Sequence, residues 1–155
     1  MQGLIKLRAL INEVPLRLKG LPLSQADVRP LPTKWSPKEE LGHLLDSAAN
    51  NHQRIVRTQL EDKPRMPDYD GNAWVRLHQY HQRSWPEMIE LWRALNQQLL
   101  AAAEAVSDPA WSRTCTIADS QPLTLKFVFE DYIEHMIHHL KHIGIEVDDL
   151  NRSVA

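Results

Sequence analysis

Two helix starts marked by proline constrain the fold most. In Ser36-Pro37-Lys38-Glu39 the serine can cap the first turn, the proline sits at the first helical position, and the glutamate completes a capping box. Ser84-Trp85-Pro86-Glu87 repeats the device, with Ser84 capping and Glu87 three residues on. The spacing predicts one helix from Ser36 to about Asp62, before Pro64, with Leu41, Leu44, Leu45, Ala48, Ile55 and Val56 on one arc. It predicts a second helical region from near Asn72, kinked near Ser84, to about Val106. Leu4, Leu7, Ile11, Val14 and Leu18 recur at the 3-4 spacing of an earlier helix face. Pro15 is expected to kink or break that helix, and Gly20 with Pro22 to stop it. A last helix is expected from near Thr124 to Gly144.

The connections are proline-rich. Residues 20–35 hold Pro22, Pro30 and Pro32, with Ser24 and Asp27 placed to cap one short turn. Residues 63–72 carry the Asp70-Gly71 turn signal, and Pro109 and Pro122 punctuate 107–122. No segment reads as a convincing strand. Four main amphipathic helices predict an all-α four-helix bundle with long connections at about 20–35 and 107–122. Its 155 residues suit a single domain over 1–155, with 145–155 a polar, partly ordered tail.

Charge and cysteine count narrow the functional classes. Eighteen Lys and Arg against 20 Asp and Glu give no basic footprint for nucleic acid. A single cysteine, Cys115, forms no internal disulfide and has no basic neighbour to activate it. No uncharged apolar run nears the 18 residues of a membrane span. Lys6, Arg8 and Glu13 interrupt the N-terminal pattern, unlike a signal peptide. A soluble cytoplasmic protein is the expectation.

The chain has eight histidines, four of them in His135-Met136-Ile137-His138-His139-Leu140-Lys141-His142. The pairs His135/His139 and His138/His142 have the i, i+4 spacing that stacks imidazoles on one helix face. Val128, Tyr132, Met136, Leu140 and Ile143 centre the apolar arc. His139 lies roughly 60° from that centre, His135 roughly 100°, His142 roughly 120° and His138 roughly 160°. The 135/139 pair therefore edges the core, and His138 faces water. A catalytic zinc site commonly takes three protein ligands and keeps a position open. His43 is the third candidate. It opens a polar stripe with Ser47, Asn50 and Arg54, opposite the leucine face. Such a stripe reads equally as facing a water-filled cavity or bulk solvent. Without a third ligand, the histidine pair reads as a surface feature. His78 and His81 read as a solvated face, and His52 as a core or interface residue. Trp74, Trp85, Trp92 and Trp111 read as packing.

The run Trp35-Ser36-Pro37-Lys38-Glu39-Glu40-Leu41-Gly42-His43-Leu44-Leu45-Asp46-Ser47, with Arg54 eleven residues after His43, resembles the first signature of the DinB/YfiT-like superfamily. His135, His138, His139, Leu140 and Ile143 resemble its second, His-x-x-His-His-Leu-x-x-Ile. The stretch around Trp111, the Leu123-Thr124-Leu125 helix start and the Pro15 to Pro32 lead-in are similar too, so most of the chain is covered. The resemblance implies an up-down-down-up bundle and one divalent metal held by His43, His135 and His139. It implies a homodimer, and an inward-facing cavity at His43. Related sequences often carry an Arg near Asn96. This chain does not, so no anion-binding role is expected there.

The resemblance implies no single reaction. The leading expectation is a metal-dependent hydrolase. The alternative is a transferase using a low-molecular-weight thiol such as bacillithiol, mycothiol or glutathione. The ion, Zn, Ni or Fe, can acidify water or a thiol. Asp131, one turn before His135, is a candidate to orient that ring. Asp46, one turn after His43, is a candidate orienter or general base. Arg54 is a candidate to neutralise a substrate anion, or forms a surface ion pair. A third expectation is a non-catalytic bundle whose metal is structural or absent. A structural metal would take a fourth protein ligand, such as Asp46, His52 or His78. The expected partner is a small molecule, with no nucleic acid and no membrane.

Overall fold

The computed structural model describes residues 1–147, and the remainder of the expected tail, 148–155, lies outside the described residues. Four long helices dominate it: α1 (Gln2–Lys19), α3 (Pro37–Leu60), α5 (Trp85–Glu104) and α6 (Leu125–Ile143). Two short helices, α2 (Leu23–Ala26) and α4 (Gly71–His78), sit in the first two connections.

Local chemistry places the helix starts. The Ser36 side chain accepts from the Glu39 backbone N–H while the Glu39 carboxylate accepts from the Ser36 N–H, the full capping box. Such caps stabilise by about 1 kcal/mol. Ser84 caps α5 and Thr124 caps α6, each accepting from the backbone N–H three residues on. Gly144 ends α6 with φ of 89°, the left-handed conformation that a glycine adopts without strain.

Contacts between ends fix the directions. The Trp85 indole at the start of α5 donates to the Leu18 carbonyl at the end of α1, at 3.2 Å, so these two run antiparallel. Lys6 meets Glu134 at 2.7 Å and Arg17 reaches the Glu146 carbonyl, so α1 and α6 run parallel. Glu40 and His43 of α3 face His139 and His135 of α6 in reverse order, an antiparallel pair. Gln59 donates to the Ala102 carbonyl at 3.3 Å, joining the late turns of α3 and α5 and making them parallel. The bundle is up-down-down-up.

The expected apolar arcs form the core. Leu7, Ile11, Val14 and Leu18 of α1 and Tyr132, Met136, Leu140 and Ile143 of α6 are buried with Leu41, Leu44, Trp85 and Trp92. In its first three turns α3 buries nearly every side chain, including Glu40, His43, Asp46 and Ser47.

Several expectations are corrected. Pro15 lies inside an unbroken α1, because its side chain is buried and tertiary packing offsets the lost hydrogen bond. Ser24 does not cap the turn in the first connection; α2 starts from Pro22 and has no side-chain cap. The predicted kink near Ser84 is a separation: α4 ends at Gln79 in the left-handed region, a 3-10 turn covers Tyr80–Gln82, and α5 starts afresh. A small sheet was not expected. β1 (Arg65–Met66) pairs in parallel with β2 (Thr114–Ile117), which pairs antiparallel with β3 (Leu123–Thr124). Met66, Cys115 and Val128 pack beneath it. The tail is not all polar and frayed, since Ile145 and Val147 are buried in the core.

Candidate metal centre

The cap at Ser36 begins α3 so that His43 arrives on its inner side, 7% exposed. α6 runs past in the opposite direction and brings His135 and His139, one turn apart, to the same place. The three rings gather with centroids 5.0, 4.5 and 4.5 Å apart. One ring nitrogen from each lies within 4.8 Å of the other two. The Nε2 atoms of His43 and His135 are 3.1 Å apart.

The surroundings suit a metal ion. His139 Nδ1 lies 2.6 Å from Glu40 Oε2. A carboxylate can only accept, so Nδ1 carries the proton, and Nε2 is the nitrogen left to face the cluster. The Ser47 hydroxyl stands 3.4 Å from His135 Nδ1. Burial, then the neighbouring His139 and His135, hold the His43 imidazole down at about 3. Burial, followed by His139, His138 and Arg54, holds His135 at about 4. Both rings are therefore neutral at pH 7, the form that binds metal. Gly71 closes the far side of His43. A Cβ there would lie 3.0 Å from His43 Cε1 and 3.1 Å from Nδ1, so the absent side chain is what admits the ring. His43 Nδ1 is buried without a hydrogen-bond partner among the described residues. Trp35 leans on the cluster, 5.0 Å from His43 and 6.3 Å from His139 between ring centroids.

A pocket of about 250 Å³ opens beside His43 and His135. Ser47, Arg54, Tyr69 and Asp131 line it. Arg54 meets Asp68 at 3.4 Å, with its side chain 12% exposed. Burial pushes the Tyr69 phenol up, so its hydroxyl stays a donor. Tyr132, on the same wall, is fixed through its hydroxyl to Asn96 Oδ1 at 2.5 Å. Asn96 is thus a buried positioning group.

The other expected residues sit differently. Asp131 is exposed at the pocket wall, and no hydrogen bond joins it to His135 among the described residues. Asp46 is buried and turned to another cluster: its Oδ1 accepts from the Tyr80 hydroxyl at 2.6 Å and lies 3.0 Å from His78 Nδ1. Burial nonetheless raises its carboxyl. His78 is therefore not simply solvated. His52 is half-buried on α3, outside the triad. His138 is exposed, as the helix geometry predicts, and His142 lies 3.4 Å from Glu40 Oε1. Cys115 is buried under the sheet. Trp85 and Trp92 are core, Trp111 packs against it, and Trp74 meets Tyr69 at a tilt and His78 edge-on. Sequence reasoning missed Glu40, Trp35 and Tyr69 as site residues. Glu40 had one available signal, its position one turn before His43.

Two expected results follow from this geometry. Glu40→Gln should keep the fold and weaken metal binding about 10–100-fold, measured by competition with a chromophoric chelator. In the metal-free protein, His43 and His135 have folded values below the ordinary 6.5, so protons favour the unfolded chain. Their stabilisation is complete above pH 6.5 and is lost as pH falls toward 4 and then 3. The melting temperature of metal-free protein should fall steadily between pH 7 and pH 4, and His43→Ala should flatten that slope.

The chain belongs to the DinB superfamily, whose family model matches residues 6–143. Among curated relatives, YfiT of Bacillus subtilis, named as a candidate metal-dependent hydrolase, is 26% identical over 138 residues, covering 86% of this chain and 78% of the relative. BH0277 of Halalkalibacterium halodurans, named likewise, is 23% identical over 137 residues, covering 86% and 80%. The solved structure of Bacillus subtilis YfiT, described as a four-helix bundle of unusual topology, superposes with a TM-score of 0.69 at 23% identity, covering 91% of this chain and 87% of that one. A mycothiol-dependent maleylpyruvate isomerase superposes with a TM-score of 0.72 at 12% identity, where this chain spans 59% of its length. At these identities the structural likeness concerns the fold.

Proposed function

We propose that the protein is a metal-dependent hydrolase of a small molecule, with His43, His135 and His139 holding one divalent ion, Zn, Ni or Fe. The observation that carries this reading is the meeting of three imidazoles, two of which, His43 and His135, line a polar pocket; among the described residues no fourth His, Cys, Asp or Glu joins the triad, and the neighbouring group of Glu40 and His142 shares only His139 with it. A structural site would be closed by a fourth ligand, so an open set supports reactive use. The names of the relatives support the same class. A divalent ion held there supplies Lewis acidity. The chain's own groups do the rest. Glu40 holds the His139 proton at Nδ1. Arg54 and the Tyr69 hydroxyl offer positive charge and a donor to an anionic or carbonyl oxygen in the pocket. Trp35 and Gly71 shield His43 from water. Asp131 is the carboxylate on that wall available to accept a proton. Asp46 holds Tyr80 and His78 in place and takes no part in the triad.

A second reading is an S-transferase using a low-molecular-weight thiol. It is favoured by the absence of an accessible nucleophilic thiol, since Cys115 is buried, and by the fold shared with a mycothiol-dependent isomerase. In both readings we place the protein in the cytoplasm, as a homodimer, without nucleic acid. No helix among the described residues is long and apolar enough to cross a membrane.

The test uses tag-free, metal-loaded protein. It is screened against ester, amide and lactone substrates, and separately against monochlorobimane with bacillithiol, mycothiol and glutathione. Metal-dependent hydrolysis supports the first reading, and thiol consumption moves the assignment to the second. Protein that takes up no Zn, Ni or Fe would overturn both.

A further inference from the structure

Trp35 has two sides. One faces His43 and His139. The other is a wall of a second pocket of about 270 Å³, shared with Arg29, Lys34, Glu39, Val75 and Arg76. Neither the triad nor the Arg54 pocket uses this space. Its charge is uneven. Glu39 is the only carboxylate in the lining among the described residues, and it is already committed: Arg29 grips both its oxygens, at 2.9 and 2.5 Å, and the Ser36 backbone N–H donates to one of them at 2.9 Å. Burial works against that charge, but the bonds from Arg29 and Ser36 outweigh it and hold the Glu39 carboxyl below its usual range. Lys34 and Arg76 then remain on the rim with no ion-pair partner among the described residues. His81, Asn72 and Thr33 complete the polar lining.

This is a local cationic surplus in a chain whose formal net charge is −2. Concave sites with one sign of charge and apolar walls concentrate counter-ions. An arginine fork and a lysine in one lining suit a carboxylate or phosphate group. Trp35 and Val75 supply an apolar surface for the carbon skeleton that carries it. The volume admits one small anion and gives no track for a polymer backbone.

We propose that this pocket binds the carboxylate or phosphate group of a small organic anion, through Lys34 and Arg76 against the Trp35 face. The site stands independently of the metal reading, because none of its charged groups is a triad residue. Trp35 joins the two places, so a ligand long enough to pass its edge would present one end to the histidine cluster and its anionic end here.

The experiment titrates metal-free ¹⁵N-labelled protein with citrate and, separately, inorganic phosphate at constant ionic strength, following the Trp35 indole N–H. Saturable shifts are expected, with the dissociation constant rising about tenfold in Lys34→Ala/Arg76→Ala, given the strength of charge-assisted hydrogen bonds. Both side chains are exposed, so this variant should keep its melting temperature. His135→Ala, which breaks the triad at a ring with no contact to Trp35 among the described residues, should leave the titration within about twofold, which separates failure of this site from failure of the metal site. Tighter binding of citrate than phosphate would identify a carboxylate ligand, and the reverse a phosphate. Shifts that rise linearly for both probes, or an affinity unchanged in the double variant, would overturn the proposal.

Discussion

His139→Ala is expected to cost the protein its metal. The variant leaves two imidazoles, and it also strips Glu40 of its 2.6 Å partner inside a site where that carboxylate is 7% exposed. Loss of a supporting second-sphere group alone commonly costs 10–100-fold in metal affinity, so loss of a direct ligand should exceed about 100-fold. Mass spectrometry for metals on tag-free protein purified without chelator would read near one equivalent for the parent and little for the variant. His138→Ala is the matched control. It removes an imidazole from the same helix, but an exposed one outside the triad, and should retain the ion. Equal metal content in parent and His139→Ala would place any bound ion elsewhere.

The second large effect is on stability. Gly42 precedes His43 and lies flat against the Tyr80 ring. A Cβ at this position would stand 2.1 Å from Tyr80 Cδ2 and 2.3 Å from Cγ, well inside contact distance. The ring cannot retreat cheaply, because its hydroxyl donates to the buried Asp46 at 2.6 Å and the side chain is 3% exposed. Gly42→Ala should therefore force out Tyr80, break its bond to Asp46 and leave that carboxylate to His78 alone. Overpacking costs typically 1–3 kcal/mol, and the lost buried hydrogen bond adds to it. A total near 3 kcal/mol corresponds to a melting point lower by roughly 10 °C in a chain of this size. Thermal unfolding followed by circular dichroism checks it. Gly42→Ala/Tyr80→Ala should be far less harmful than the sum of its parts, since the second change removes the clash. A Gly42→Ala protein melting within about 2 °C of the parent would refute the packing argument.

Helix starts were legible because caps act within four residues. Ser36, Ser84 and Thr124 need no tertiary information to choose their turns. The His135/His139 pair was legible for a related reason, since helical geometry alone sets it beside the apolar arc. His43 was not decidable on its own residues. A polar stripe has one appearance whether it faces a cavity or bulk water, and here the return of α6 makes the difference. Glu40 was hidden by its neighbour. In the first turn of a helix, two successive glutamates read as partners of the helix dipole. Only the folded chain shows Glu39 on Arg29 and Glu40 on His139. The strands were illegible because two to four residues give no alternation to detect. Pro15 misled because propensity is local and packing is not.

The parallel run of α3 and α5 has a mechanical consequence. A chain that leaves the far end of α3 must return along the bundle before α5 can begin. From His43 to Leu60 the helix spans roughly 25 Å. The segment from Leu60 to Tyr69 must cover that length in reverse to set Tyr69 beside His43, and fully extended it reaches about 30 Å. It is a tether drawn almost tight, pinned midway where β1 pairs with β2. The bundle therefore decides where the histidines stand, while the length of this tether decides what stands over them. Removing two residues between Glu61 and Pro67 would drag Tyr69 and Gly71 off the histidine cluster and leave the four helices packed as before.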